Sequence, residues 1–356
     1  MTPQLASLEP AAAVPEIRRL LVMRNDRLGD MVMTLPALEA ARRALPEARI
    51  TVLASENTAS LLQGNPAVSD VLLDRPEQTA RELGRRLARH RFDAALVIAA
   101  NSRNAWGAWW AGIPTRVCWA YGFSGFLLGS HRLFLHRSRP PVHESEFALA
   151  FVRRLGLPVS SRRPTPRLEV DLMLRSRIGR KLQARLGVHR PLFAINPGSR
   201  QSSFNWPIEH YAMLATRLAE HGRVAVFGHR SEKPLLDKME QLVPPSKRPS
   251  IGFFAEFGLL ELVAALDQVD VLTVSSTGPM HLAGAVGTPV VALFSSHPAQ
   301  APAKWAPFGD GHTLLVAPGD PGERPVGPEH MARIDVEDVV AANLQAVSSF
   351  RKRLIA

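Results

Sequence analysis

Three segments of this 356-residue chain carry the residues best suited to chemistry. The first, RNDRLGDMVMTLPAL (24–38), leaves an apolar run, turns at Gly29 and opens a helix near Asp30 or Met31. A carboxylate there lies beside helix amides that favour its charged form, so Asp30 can serve as a base or can simply cap the helix. The second segment, INPGSRQSSFNWP (195–207), follows the strand-like LFAIN and offers amides and hydroxyls of Gly198, Ser199, Ser202 and Ser203 to a phosphate. An ordinary strand-to-helix turn, with Pro207 at the first helical position, accounts for the same residues. In the third, SSTGPMHLAGAVGTP (275–289), a strand ends, Ser276, Thr277 and Gly278 turn, and a small-residue helix starts at Pro279. Small residues allow close backbone approach, and a helix N-terminus favours an anion. His281 falls in the first turn of that helix, where a structural histidine is the plain alternative.

The elements that must position these loops are legible as alternating periodicities. RRLLVM (18–23), ARITVLA (48–54), VSDVLLD (68–74) and FDAALVIA (92–99) predict strands, with helices between them at 32–44, 56–64 and 77–90. That alternation predicts parallel βαβ units covered on both faces. Residues 158–190 are rich in Arg and Pro at first and then read as a basic helix from 171 to 186. An interdomain connection is expected there. A second series follows: LFAIN, a helix at 207–221, RVAVFGH, helices near 231–243 and 258–267, DVLTVS, a short helix after Gly278, and TPVVALF. The expected organisation is a tail (1–17), a first α/β domain (18–157), the connection (158–190), a second α/β domain (191–334) and a C-terminal helix (335–356). Both domains read as doubly wound and Rossmann-like, facing a central cleft where ligands meet the carboxyl ends of the strands.

Composition narrows the classes of partner. The single cysteine, Cys118, cannot form an internal disulfide, and no Cys/His spacing suits zinc, so a reducing cytoplasm and no metal are expected. No apolar run reaches the roughly 18 residues of a membrane span. Glu9, Pro10, Pro15 and Glu16 stand where a secretory signal would be apolar. Lys and Arg total 43 against 32 acids, a formal charge of +11, which favours anionic partners. No helix-turn-helix, zinc-finger or RNA-recognition pattern accompanies that charge, so nucleic acid is not expected. Trp106, Trp109, Trp110, Trp119, Phe123 and Phe126, with Arg116 and Arg132 nearby, form either an acceptor- or membrane-facing surface or ordinary core. Arg162, Arg163, Arg167, Arg175, Arg177, Arg180, Lys181 and Arg185 form either a site for anionic lipid or phosphorylated glycan or a solvated helix face.

Taken in order and spacing, RNDRLGDMVMTLPALEAARRALPEARITVLA, NPGSRQSSFNWPIEHYAMLATRL and STGPMHLAGAVGTPVVALF resemble glycosyltransferase family 9, which includes the ADP-heptose:lipopolysaccharide heptosyltransferases. The resemblance runs from about residue 18 to 307. It implies a GT-B architecture, an N-terminal acceptor domain, a C-terminal nucleotide-sugar domain, and inverting transfer with no cofactor or metal. By the same resemblance Asp30 is the base that deprotonates the acceptor hydroxyl. Asn196, Gly198, Ser199, Arg200, Ser276, Thr277, Gly278 and His281 are implied on the donor side, and Arg27, Gly29 and Arg103 are the acceptor-side candidates. Two positions depart from the family pattern: Ser276 stands where Asp is common and Phe204 where Lys is frequent, leaving Arg200 as the replacement cation. The implied reaction moves heptose from ADP-heptose to a lipopolysaccharide core or related envelope glycan, with the enzyme cytoplasmic or peripheral on the inner membrane. The rivals are transfer of another activated sugar in O-antigen or capsule assembly and a non-catalytic nucleotide-sugar-binding protein.

Overall fold

The computed structural model of the protein describes residues 16–99, 101–136, 142–160, 167–199, 203–319 and 327–355. The chain divides into two compact units, Met1–Pro166 and Arg167–Ala356. In the first, strands β1 (Arg19–Arg24), β2 (Arg49–Ala54), β3 (Asp70–Leu73), β4 (Ala94–Val97), β5 (Thr115–Trp119) and β6 (His131–Leu133) form one parallel sheet. Helices α1 (Leu28–Ala44), α2 (Glu56–Ala59), α3 (Ala80–Ala88), α4 (Ser102–Trp110) and α5 (Phe123–Leu128) connect the strands, and α6 (Glu144–Arg154) follows. The second unit opens with α7 (Leu172–Leu186). Its strands are β7 (Leu192–Asn196), β8 (Arg223–Phe227), β9 (Ile251–Phe254), β10 (Val271–Ser275), β11 (Val290–Phe294) and β12 (Thr313–Val316). Its other helices are α8 (Ile208–Leu218), α9 (Lys233–Leu242), α10 (Leu259–Leu266), α11 (Gly278–Val286), α12 (Pro302–Trp305), α13 (Gly327–Met331) and α14 (Val336–Ile355).

The two sheets share one topology. The first is ordered β3, β2, β1, β4, β5, β6 and the second β9, β8, β7, β10, β11, β12. Each begins in the middle, grows to one side, then crosses to the other, so the order reverses between β1 and β4 and again between β7 and β10. Open α/β sheets take ligands outside the strand carboxyl ends at such a reversal. The central strands β7, β10 and β11 are buried along their whole length, as a sheet covered on both faces requires. Leu21, Met23, Leu53, Leu83 and Phe92 anchor the first core, and Phe193, Trp206, Tyr211, Val226 and Met239 the second. The terminal helix α14 adds Val339, Val340 and Val347 to the second core.

Several helix ends follow from short-range chemistry. Thr79 and Glu82 form a reciprocal capping box at α3, and the Asp171 side chain accepts the Leu174 N–H at 2.7 Å to start α7. The basic face of α7 pairs with α10: Arg175 lies 2.5 Å from Asp267 and Arg177 3.1 Å from Glu261. These cations therefore seat the helix on its own unit, while Arg162 and Arg163 lie outside the described residues. Helix α1 starts at Leu28, earlier than its apolar periodicity suggests. Among the described residues no helix is long and apolar enough to cross a membrane.

Candidate active site

Strand β1 ends in Arg24, a charged residue closing an otherwise apolar run and only 2% exposed. Its Nη2 donates to Asp30 Oδ1 at 2.5 Å and to Glu144 Oε1 at 2.9 Å, while Nε lies 3.1 Å from Asp26 Oδ1. Burial works against the guanidinium charge, but the carboxylates of Asp26, Asp30 and Glu144 outweigh it, and the pKa sits above the ordinary arginine value. Asp30 lies in the first turn of α1 and Glu144 in the first turn of α6, so two positive helix ends also face this cluster. Glu144 is sealed at 1% side-chain exposure, whereas Asp30 keeps 14%. Asp30 thus combines a fixed, charge-paired carboxylate with access from outside.

The capping explanation of Asp30 does not hold. The N-cap of α1 is Arg27, whose carbonyl accepts the Met31 N–H at 3.1 Å, and the Asp30 carboxylate turns back to Arg24. Arg27 itself is exposed and Gly29 half-buried in the first turn. Arg103 is engaged within the unit, gripping Asp74 through both carboxylate oxygens at 2.6 and 2.5 Å and the Arg75 carbonyl at 2.9 Å. Asn25 donates to Asp74 at 2.7 Å and accepts from Asn104 at 2.7 Å. These four side chains tie the loops after β1, β3 and β4 together around the reversal point.

At the second reversal point, the loops after β7 and β10 are joined by a buried polar knot. Ser275 Oγ donates to Asn205 Oδ1 at 2.9 Å, and the Tyr211 hydroxyl lies 3.0 Å from Ser275 Oγ. Asn205 also donates to the Pro197 carbonyl, and burial pushes the Tyr211 phenol above its ordinary pKa. Trp206 is locked by its indole N–H on the Ile334 carbonyl at 3.1 Å. Asn196 points away from the loop, donating to the Phe227 carbonyl at 3.1 Å. Gly198 faces the Glu232 carboxylate so closely that a Cβ there would displace it. Ser199 is half-buried, and Arg200 and Ser202 lie outside the described residues. Phe204 packs its ring 6.0 Å from that of His297 and supplies no charge.

Thr277, the N-cap of α11, is 6% exposed, and its buried Oγ1 has no hydrogen-bond partner among the described residues. Such a hydroxyl is costly to bury unless something else meets it. Gly278 and the buried His281 follow in the first turns, with the His281 ring 6.5 Å from that of Trp305. The arrangement offers an anion the start of a nine-residue helix, an unmet hydroxyl and an imidazole. Ser276, half-buried beside them, contributes a hydroxyl where a carboxylate would repel that anion.

Sequence reasoning did not find Arg24, Asp26 or Glu144. The available signals were an arginine following the apolar run LLVM (20–23) at the end of a strand, and paired acids in HESEF at the head of a buried helix.

Comparison with known proteins places the chain in a family. The model of glycosyltransferase family 9 (heptosyltransferase) matches residues 80–320, more than half of the chain. Lipopolysaccharide heptosyltransferase 2 of Escherichia coli is 27% identical over 294 residues, covering 78% of this chain and 82% of that protein. Lipooligosaccharide heptosyltransferase 2 of Haemophilus influenzae is 25% identical over 308 residues, covering 83% and 88%. The structure of E. coli ADP-heptose lps heptosyltransferase II superposes with a TM-score of 0.77 at 23% identity, spanning 93% of this chain and 99% of that one, and so shares the two-sheet GT-B fold. With its family model, its relatives and its fold in agreement, the chain belongs to glycosyltransferase family 9 and is a glycosyltransferase.

Proposed function

We propose that the enzyme transfers heptose, with inversion, from ADP-heptose to a lipopolysaccharide core or related envelope glycan at the cytoplasmic face of the inner membrane. The observation that carries this reading is the Asp30 carboxylate, held by buried Arg24 and still partly exposed at the sheet reversal. Asp30 takes the proton of the acceptor hydroxyl as that oxygen attacks the anomeric carbon and the bond to the diphosphate breaks. The start of α11, with Thr277, Gly278 and His281, receives the negative charge that develops on the departing nucleotide, in place of a metal. Arg103 acts as a brace for the acceptor-side loops, since its guanidinium is committed to Asp74. Heptose, its ADP carrier and the lipopolysaccharide acceptor are taken from the names of the relatives. A second reading, transfer of a different activated sugar, draws on uncharged Ser276 and Phe204.

The test is transfer by purified enzyme from ADP-heptose, UDP-sugars and GDP-sugars to a heptose-deficient lipopolysaccharide core, with nucleotide release followed. The expected result is turnover with ADP-heptose that falls about 10²- to 10⁴-fold in Asp30→Asn, while nucleotide affinity is unchanged. Wild-type turnover in folded Asp30→Asn removes the base assignment. Turnover with a UDP- or GDP-sugar alone selects the second reading.

A further inference from the structure

The aromatic-rich segment after β4 is divided by the fold. Trp106, Trp109 and Trp110 pack against one another on α4, with ring centroids 5.6 and 4.9 Å apart, although Trp109 and Trp110 stay 42% and 47% exposed. The residues from β5 through the end of β6 are exposed as a larger group. Tyr121 is 55% exposed, Phe123 81%, Phe126 49%, Leu127 52% and Phe134 59%. Isolated exposed apolar residues are ordinary, but five large ones grouped on a single strand-helix-strand element are not. Ring contacts run through the group: Phe126 meets Phe134 at 6.4 Å, and Tyr121 meets Trp119 at 5.8 Å and His136 at 5.6 Å. The rim is basic, because residues 115–136 contain no Asp or Glu. The Arg132 guanidinium lies 4.7 Å over the Phe126 ring, and Arg154 Nε donates to the Arg132 carbonyl at 2.9 Å. Arg116, by contrast, is turned inward onto the Leu128 carbonyl at 2.8 Å.

We infer that this face, built on α5 and the edge strand β6, is a docking surface for an anionic lipid bilayer. Aromatic and aliphatic side chains presented outward with arginines at their margin suit the headgroup boundary, where apolar tips enter the acyl region and guanidinium groups meet lipid phosphates. A second copy of the chain is complemented less well, since an isologous contact would set this acid-free, arginine-bearing rim against another of the same sign. Every strand of the first sheet is parallel, so Tyr121 and Phe134, which follow β5 and β6, lie at the same carboxyl edge as Asp30, which follows β1. Docking through this face would therefore present the proposed acceptor side to the surface where a lipid-linked glycan resides. Only that use of the surface rests on the transfer reading; lipid binding itself does not.

The experiment is co-sedimentation of the full-length protein with extruded vesicles, without sugar donor, at about 150 mM salt. One set contains phosphatidylglycerol with phosphatidylethanolamine and the other phosphatidylcholine alone. Binding is expected to the anionic vesicles only. It should fall about tenfold or more in Phe123→Ser/Leu127→Ser, with an unchanged melting temperature and unchanged turnover on a water-soluble acceptor fragment. Arg132→Glu should weaken binding and make what remains less sensitive to salt. Equal sedimentation of the folded double variant overturns the inference, as does failure of the wild type to sediment. A wild-type dimer that the same double variant dissociates assigns the face to a second copy instead. Loss of vesicle binding with transfer intact, and the converse, separate this inference from the assignment of the reaction.

Discussion

Arg24 links folding to chemistry because one buried guanidinium serves three carboxylates. Removing the cation leaves Asp26, Asp30 and Glu144 close together with their mutual repulsion uncompensated and Glu144 fully buried. Arg24→Met is therefore expected to cost about 3 to 5 kcal/mol in urea denaturation and to lower turnover through Asp30. Glu144→Gln should cost less, about 1 to 2 kcal/mol, since Arg24 retains Asp30 and Asp26. If turnover in Glu144→Gln falls while the denaturation midpoint holds, the lost carboxylate was orienting Arg24 toward Asp30. Equal costs for the two variants would mean that the cluster is not organised around the arginine. The same residues mark a limit of reading by sequence. Asp30 is visible because Gly29 and the following helix flag it, whereas Glu144, which shares Arg24 with it, lies 120 positions beyond that arginine and only the contact of α1 with α6 brings them together.

At the scale of elements, legibility tracks burial. The runs of β1, β2, β4, β7, β8, β10 and β11 are legible because continuous apolar stretches mark strands buried on both faces, and VSDVLLD also foretells β3, which is only partly buried. Strands β5, β6, β9 and β12 are not, for physical reasons: β5 is interrupted by Arg116, β6 is three residues long, β9 carries Gly252, and β12 is an edge strand without a buried residue. The aromatic segment illustrates the same limit, because core packing and surface display share one composition, and only the fold shows Phe123 exposed. The edge of the second sheet depends on an interaction equally hidden from periodicity. His312 accepts the Val290 N–H at its Nδ1, at 3.2 Å, and meets the Phe308 carbonyl through Nε2. Both contacts suit the neutral ring, and burial lowers its pKa, outweighing the opposing effects of Phe308 and Asp310. The unfolded chain therefore takes up a proton first as pH falls. The stabilisation is complete above about pH 6.5 and is lost as pH drops through the lower folded-state pKa. His312→Asn should melt lower than wild type at about pH 7.5 but lose less on going to about pH 5. His131, whose pKa burial also lowers, should leave a residual slope. Parallel melting curves for both proteins would remove His312 as a source of acid sensitivity.

Across the whole molecule, one sheet topology is used twice with opposite chemistry at its reversal point. In the first unit the loop after β1 and the head of α6 bring acids around a buried arginine, an arrangement suited to holding and accepting a proton. In the second, the loops after β7 and β10 converge on hydroxyls, a tyrosine and the start of α11, where Thr277 Oγ1 awaits a partner. Equal folds thus predict unequal ligands, with the nucleotide on the second unit alone. Hydrogen–deuterium exchange of the full chain should slow at 196–207 and 275–286 when ADP is added, while 24–38 exchanges as before. Thr277→Val, which keeps the shape and removes the hydroxyl, should weaken ADP binding by about tenfold, the effect of one lost hydrogen bond to a charged group. Protection confined to 24–38 would exchange the roles of the two units and place the nucleotide beside Asp30. Protection of both segments by ADP alone would mean that nucleotide binding reaches across the chain before any acceptor is present.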